Sequence, residues 1–169
     1  MARTSLRDYQ RDLAERLRNA DRGVAASKLG VQAGTASWLV DLADAGEVIP
    51  VPPITPVPLT RPWFRGMANI RGNLYSVVDF PAFLGGKPVP ASNEARLLLI
   101  GERFRTGVAL LVDRSLGLLG ASQLQPRAAA GAERAPWVKG EHTDAGGREW
   151  IELDVPQLIQ HPDFLGVAT

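Results

Sequence analysis

The chain contains no cysteine, and its two histidines, His142 and His161, stand 19 residues apart. Disulfides, thiolate metal sites and cysteine nucleophiles are therefore excluded, and the histidine spacing matches no metal-ligand pattern. Charge of one sign is also lacking: nineteen basic and eighteen acidic side chains leave a net charge of +1. That balance creates no field able to recruit nucleic acid or an anionic membrane by charge alone. Long apolar runs are missing as well, since stretches such as Leu97–Ile100 and Val108–Val112 are far too short to span a bilayer. The first 22 residues hold six arginines and four acids without the apolar centre of a signal peptide, so the expected location is cytoplasmic, with no direct membrane insertion.

What is present is a globular composition, 45% hydrophobic and 22% charged, in a length that suits one domain or two small lobes. Seventeen glycines and thirteen prolines favour many short strands over long helices. The best helix spans residues 5–24, where Ser5 and Asp8 resemble a capping box and Leu6, Tyr9, Leu13, Leu17, Ala20 and Val24 form one apolar stripe. It reads as an appended arm, able to pack on a lobe or to act as an extra docking element. Candidate strands cover 28–33, 36–43, 47–51, 73–80, 95–101, 106–114, 117–120 and 148–155. Six prolines between Pro50 and Pro62 make that stretch a stiff, extended connector. Short helical turns are expected at Pro81–Leu84 and Pro156–Ile159.

An internal repeat is more informative. Pro62-Trp63-Phe64-Arg65-Gly66 returns as Pro136-Trp137-Val138-Lys139-Gly140, and Tyr75–Leu84 returns as Trp150–Ile159. A weaker echo links Leu39-Val40-Asp41 with Leu111-Val112-Asp113. The repeat predicts two related β lobes, and packed small barrels are the natural form because closure removes exposed edges. Between the shared glycine and the following strand the copies differ. Lobe one has Met67–Asn73, whereas residues 141–148 read as a loose polar turn. Specific recognition is therefore expected on lobe one.

No residue pattern supports catalysis. Asp41, Asp79, Asp113 and Asp154 each follow an apolar strand, where aspartate commonly caps a turn, and the duplication explains their recurrence. No nucleophile elbow, P-loop or dinucleotide fingerprint occurs, so no catalytic, cofactor-binding or metal-binding residue is assigned. His142 and His161 read as surface residues, and Trp38, Trp63, Trp137 and Trp150 as core aromatics. An alternative function, a small β-barrel binding nucleic acid, would need a basic stripe with exposed aromatics. The sharpest charged pair is Glu47 and Arg71, the latter between Asn69 and Gly72 in the segment that distinguishes the copies.

From about Lys28 to Ile159 the chain resembles the CheW family. The resemblance rests on Ile54-Thr55-Pro56-Val57-Pro58, Phe64–Gly72, Val77-Val78-Asp79-Phe80, Leu84-Gly85, Gly107-Val108, Leu111–Arg114 and Leu116-Gly117. It implies a mainly β fold of two pseudo-symmetric five-stranded SH3-like barrels, in a CheW-like domain over residues 27–169 preceded by a helical extension at 1–26. Lobe one would cover about 36–95, and lobe two about 27–35 plus 96–160. The resemblance further implies a non-enzymatic adaptor without cofactor. Its partners would be the cytoplasmic tip of a methyl-accepting chemoreceptor and the regulatory domain of a CheA-type histidine kinase, and it would be recruited to membrane-associated receptor arrays. The family's receptor contacts fall on Glu47, Asn69, Ile70 and Arg71. The charged N-terminal segment and the proline-rich Pro50-Val51-Pro52-Pro53 are similar to the PilI-like adaptors of type IV pilus twitching motility.

Overall fold

The computed structural model describes residues 10, 11, 13, 14, 17, 27–128 and 133–169. The expected helix over 5–24 lies mostly outside them; Gln10, Arg11, Leu13, Ala14 and Leu17, which are described, have helical backbone. The body is mainly β, with strands β1 (Ser27–Ala33), β2 (Ala36–Asp41), β3 (Ala45–Pro50), β4 (Phe64–Ile70), β5 (Asn73–Asp79), β6 (Arg96–Ile100), β7 (Val108–Val112), β8 (Arg114–Gly120), β9 (Leu124–Arg127), β10 (Val138–Asp144) and β11 (Glu149–Leu153). Short helices α1 (Phe80–Phe83), α2 (Val155–Gln160) and α3 (Pro162–Leu165) complete it.

The strands form two mixed sheets, one ordered β8-β1-β2-β11-β10-β9 and the other β3-β6-β7-β5-β4. Read side by side, the orders are the same architecture twice. β4–β5 corresponds to β10–β11, each an antiparallel pair whose second strand runs parallel to the next, β7 in one sheet and β2 in the other. β6 then corresponds to β1, and β3 to β8. The repeated motif accounts for local detail too. A register shift falls between Phe64 and Gly66 and again between Val138 and Gly140. The amide of Asp79 donates to the Trp63 carbonyl at 2.8 Å, and that of Asp154 to the Trp137 carbonyl at 2.7 Å. Asp79 and Asp154 cap α1 and α2, each with a proline in the first turn.

Three expectations are corrected. β2 belongs to the six-stranded sheet, whereas β6 and β7 belong to the five-stranded one, so the five-stranded lobe spans 45–112 rather than 36–95. The Leu-Val-Asp echo did mark equivalent strands, β2 and β7, but their antiparallel partners β1 and β6 carry no shared motif that would assign them. The six-stranded sheet also exceeds five because β9 adds to its edge beside β10. The turn expected over 141–148 is confined to 145–148: β10 runs through Asp144 despite its polar composition, because β9 and β11 pair with it on both sides.

The alternation of side chains places the cores. Leu97, Leu99, Ala109 and Leu111 fill the interior of the five-stranded lobe with Ala68, Ile70 and Val77. Leu98, Ile100, Leu110 and Val112 face the other way and meet Trp38, Val40, Val78 and Phe80 between the lobes. β6 and β7 are thus buried on both faces, which explains their unbroken apolar runs. Leu39, Leu124 and Trp150 form the smaller interior of the six-stranded lobe. Trp38 and Trp150 are core residues as expected, while Trp63 and Trp137 are half-buried and both contact the Phe83 ring at 5.2 Å.

Candidate docking site around Glu47 and Arg71

β4 and β5 are joined by the shortest common hairpin loop, with Ile70 opposite Asn73 and only Arg71 and Gly72 between them. Both central residues have positive φ, 51° and 84°, the signature of a type I′ turn, whose twist matches that of the strands. Glycine suits such a position and arginine does not, since a left-handed L-residue crowds its own Cβ. The turn holds because Asn69 Oδ1 accepts from the Gly72 amide at 2.9 Å. The backbone thereby aims the Arg71 side chain back over the sheet.

There it meets Glu47. Arg71 Nη2 donates to Glu47 Oε1 at 2.5 Å, with the two side chains 68% and 43% exposed. β3 and β4 are the opposite edges of the five-stranded sheet, so this pair brings the two edges together at one end of the lobe. A register shift in β3 between Ala45 and Glu47 precedes the glutamate, a bulge of the kind that re-aims a side chain. The hydrogen bond from Arg71 holds the Glu47 carboxyl below its ordinary range, and the same bond holds the guanidinium above its own. One guanidinium nitrogen is engaged, and the remaining N–H donors face solvent, where they suit a partner's carboxylate or carbonyl.

The four expected contact residues are not equivalent. Glu47 and Arg71 come together at the surface. Asn69 is exposed, but its side chain is occupied in holding the turn. Ile70 packs in the lobe interior, because strand alternation points it away from Asn69, and it also lines the cleft beside Glu47 and Arg71.

The repeated aspartates separate into different roles. Asp79 and Asp154 cap helices, and Asp113 accepts from the Gly34 amide at 2.6 Å across the β1–β2 turn. Asp41 departs from the turn-capping expectation: it accepts from Lys28 at 2.5 Å and Lys139 at 3.1 Å in a network that sequence spacing did not reveal. Glu152, also buried there, accepts from Lys28 at 2.6 Å and lies 2.7 Å from His142 Nε2. Burial pushes the Asp41 and Glu152 carboxyls up, but hydrogen bonds from Lys28, with Lys139 for Asp41 and His142 for Glu152, outweigh it and leave both below their usual values. Burial likewise pulls Lys28 down, and its bonds to Asp41 and Glu152 reverse that and leave it raised. His142 is therefore a member of this network, not an independent surface residue. His161 caps α3 through Nδ1 and contacts the Trp137 ring edge-on.

Fold and site together define a duplicated β scaffold that presents an exposed ion pair on one lobe. Residues 28–163 match the CheW-like domain, and the chain belongs to that family, one of scaffolding and adaptor proteins. It is 28% identical over 172 residues to Protein PilI of Pseudomonas aeruginosa (strain PAO1), a match covering 93% of each chain. It also shares the fold of the scaffolding protein TtCheW from Thermoanaerobacter tengcongensis, with a TM-score of 0.64 at 19% identity over 76% of this chain and 88% of that one. No helix among the described residues is long and apolar enough to cross a membrane.

Proposed function

We propose that this protein is a non-enzymatic adaptor that joins the cytoplasmic tip of a chemoreceptor to the regulatory domain of a CheA-type histidine kinase. We place it in the cytoplasm, recruited to receptor arrays of a type IV pilus pathway, and assign receptor contact to Arg71 with Glu47 as its orienting partner. The observation that carries this reading is the exposed arginine in a left-handed turn position where glycine or asparagine fits better. A strained residue with no packing role persists where something outside the fold needs it. The similarity to a protein named PilI supports the pilus branch.

The test is a pair of titrations, receptor cytoplasmic fragment and kinase regulatory domain, against wild type and Arg71→Ala. Alanine is as poorly suited to the left-handed region as arginine, so the melting temperature should stay nearly constant. Receptor affinity should fall by roughly tenfold or more, as expected for an arginine at the centre of an interface, while kinase affinity is retained. Equal loss for both partners, or a fall in stability, would show Arg71 to be a structural residue. Capture of pilus-pathway rather than flagellar receptors from the source cells tests the pathway.

A further inference from the structure

Among the described residues, three that are not glycine have left-handed backbone: Leu59, Arg71 and Arg105, with φ of 58°, 51° and 51°. Leu59 lies in the proline-rich connector, where the Thr169 amide donates to its carbonyl. The two arginines share another place. A cleft of about 180 Å³ is lined by Arg71 and one of about 310 Å³ by Arg105, and Asn73, Tyr75, Ile100 and Glu102 line both. The common wall makes them one groove along the end of the five-stranded lobe. Strained backbone is uncommon, and finding two of three instances on one groove points to a surface shaped for something other than folding.

Leu74 lines the same groove and is 63% exposed. Its neighbour Tyr75 packs against the lobe interior, so strand alternation directs Leu74 outward. Its position is fixed by backbone. The Ser76 amide donates to the Gly107 carbonyl at 2.8 Å, and a Cβ on Gly107 would stand 3.3 Å from the Leu74 carbonyl oxygen. The 105–107 loop is therefore clamped against the start of β5. Arg103, on the same turn, is committed to Asp44 and to the Phe104 ring. Arg105 has no ion-pair partner among the described residues, which leaves its charge available at the rim of the groove.

Resting on the receptor-docking reading of Arg71, we propose that the same docking surface continues along this groove, with Leu74 as its apolar contact and Arg105 as a second cationic contact. The groove then fits a receptor segment that sets an apolar side chain on Leu74 and a carboxylate against Arg105. The surface is continuous with the Glu47–Arg71 pair through the shared wall, and it sets an exposed leucine and Arg105 in the same cleft, an apolar contact beside a charged one.

The experiment titrates a soluble receptor cytoplasmic fragment against Leu74→Ala, Arg105→Gly, Arg71→Ala and Leu118→Ala, the last an exposed leucine on β8 of the other sheet. Leu74→Ala and Arg105→Gly should each weaken binding roughly tenfold. Arg105→Gly should melt no lower than wild type, because glycine suits the left-handed position. Leu118→Ala should bind as wild type. If Arg71→Ala weakens binding while Leu74→Ala and Arg105→Gly do not, docking ends at Arg71 and the extended groove is wrong, with the receptor reading intact. If Arg71→Ala also binds normally, the receptor reading itself fails. An equal loss in Leu118→Ala would show a general effect of apolar surface and would overturn the groove.

Discussion

Asp79 and Asp154 occupy the same place in the repeat, and replacing each by alanine should have very different costs. Asp154 accepts a hydrogen bond from the Gln157 amide at 3.1 Å and lies at the half-exposed start of α2. Its removal loses a helix cap, worth about 1 kcal/mol. Asp79 is 0% exposed and has three donors: the Ala82 amide at 3.1 Å, the Val89 amide at 2.9 Å and Arg65 Nη1 at 3.1 Å. Asp79→Ala loses the same cap. It also strands the buried Val89 N–H, which adds about 1–3 kcal/mol. Arg65 is partly exposed and can turn to water, so the lost ion pair adds little.

The total for Asp79→Ala is about 2–4 kcal/mol, against about 1 kcal/mol for Asp154→Ala. In a chain of this size 1 kcal/mol moves the melting temperature by about 2–4 °C, so the two variants should separate clearly in a thermal melt followed by circular dichroism. Urea titration should give the same order without a change in slope. Equal losses would refute the reasoning, because they would mean that the Val89 amide finds another acceptor or that Asp79 contributes only its cap. A stable Asp79→Ala would also reopen the question of why a carboxylate is buried there at all.

Two further outcomes follow from the same repeat and from the buried network. Gly66 has φ of 131°, and a Cβ there would stand 2.0 Å from the Thr55 carbonyl oxygen, which is fixed by its bond from the Met67 amide. Gly66→Ala should therefore cost about 3 kcal/mol or more in a denaturant titration, whereas Gly140→Ala, with nothing closer than 3.8 Å, should cost under about 1 kcal/mol. Asp41 and Glu152 have lowered pKa values, so the stability they contribute is complete above the usual carboxylate range of about 4 and is lost as pH falls through their depressed values. Lys28 is raised, so its contribution is complete below about 10.4 and is lost as pH rises through its higher value. Lys28→Met should shrink both limbs in melting temperatures taken across pH, and an unchanged acid limb would show that the lysine does not hold the carboxylates.

The β lobes and their duplication were legible because each leaves a local mark, alternation and a recurring Trp-x-x-Gly and Leu-x-Asp, whereas the pairing of Glu47 with Arg71, 24 positions apart, came from the family resemblance. The strands β4, β9 and β10 show no clean alternation, although the Trp-x-x-Gly repeat runs into the starts of β4 and β10. β4 contains Gly66, Ala68 and Asn69, and β10 contains Lys139, Gly140 and Asp144, all poor strand formers whose extended state comes from pairing on the sheet. Lobe membership was hidden for a related reason. β1 and β2 reach the six-stranded sheet before the chain builds the other lobe, and nothing in a linear reading says which of two similar sheets a strand will join. The Lys28–Asp41–Glu152 network depends on residues up to 124 positions apart, brought together only by the parallel pairing of β2 with β11.

The two hairpin turns at equivalent places show why duplication helps to locate the functional face. In the six-stranded lobe Asp144 stitches its own turn, accepting from the Gly146 amide at 2.9 Å, the Arg148 amide at 3.0 Å and Trp150 Nε1 at 3.0 Å. Its left-handed position is taken by Gly147, so the backbone there is relaxed. In the five-stranded lobe the corresponding turn is shorter, and its left-handed corner carries Arg71. The scaffold therefore has a comfortable solution to this turn and uses it in only one copy. Asn or Gly at 71 would close the same hairpin with less strain, but neither supplies the guanidinium that bonds Glu47 across the sheet edges. On the proposed reading a partner reads this arginine, which gives the strained turn a use beyond closing the hairpin.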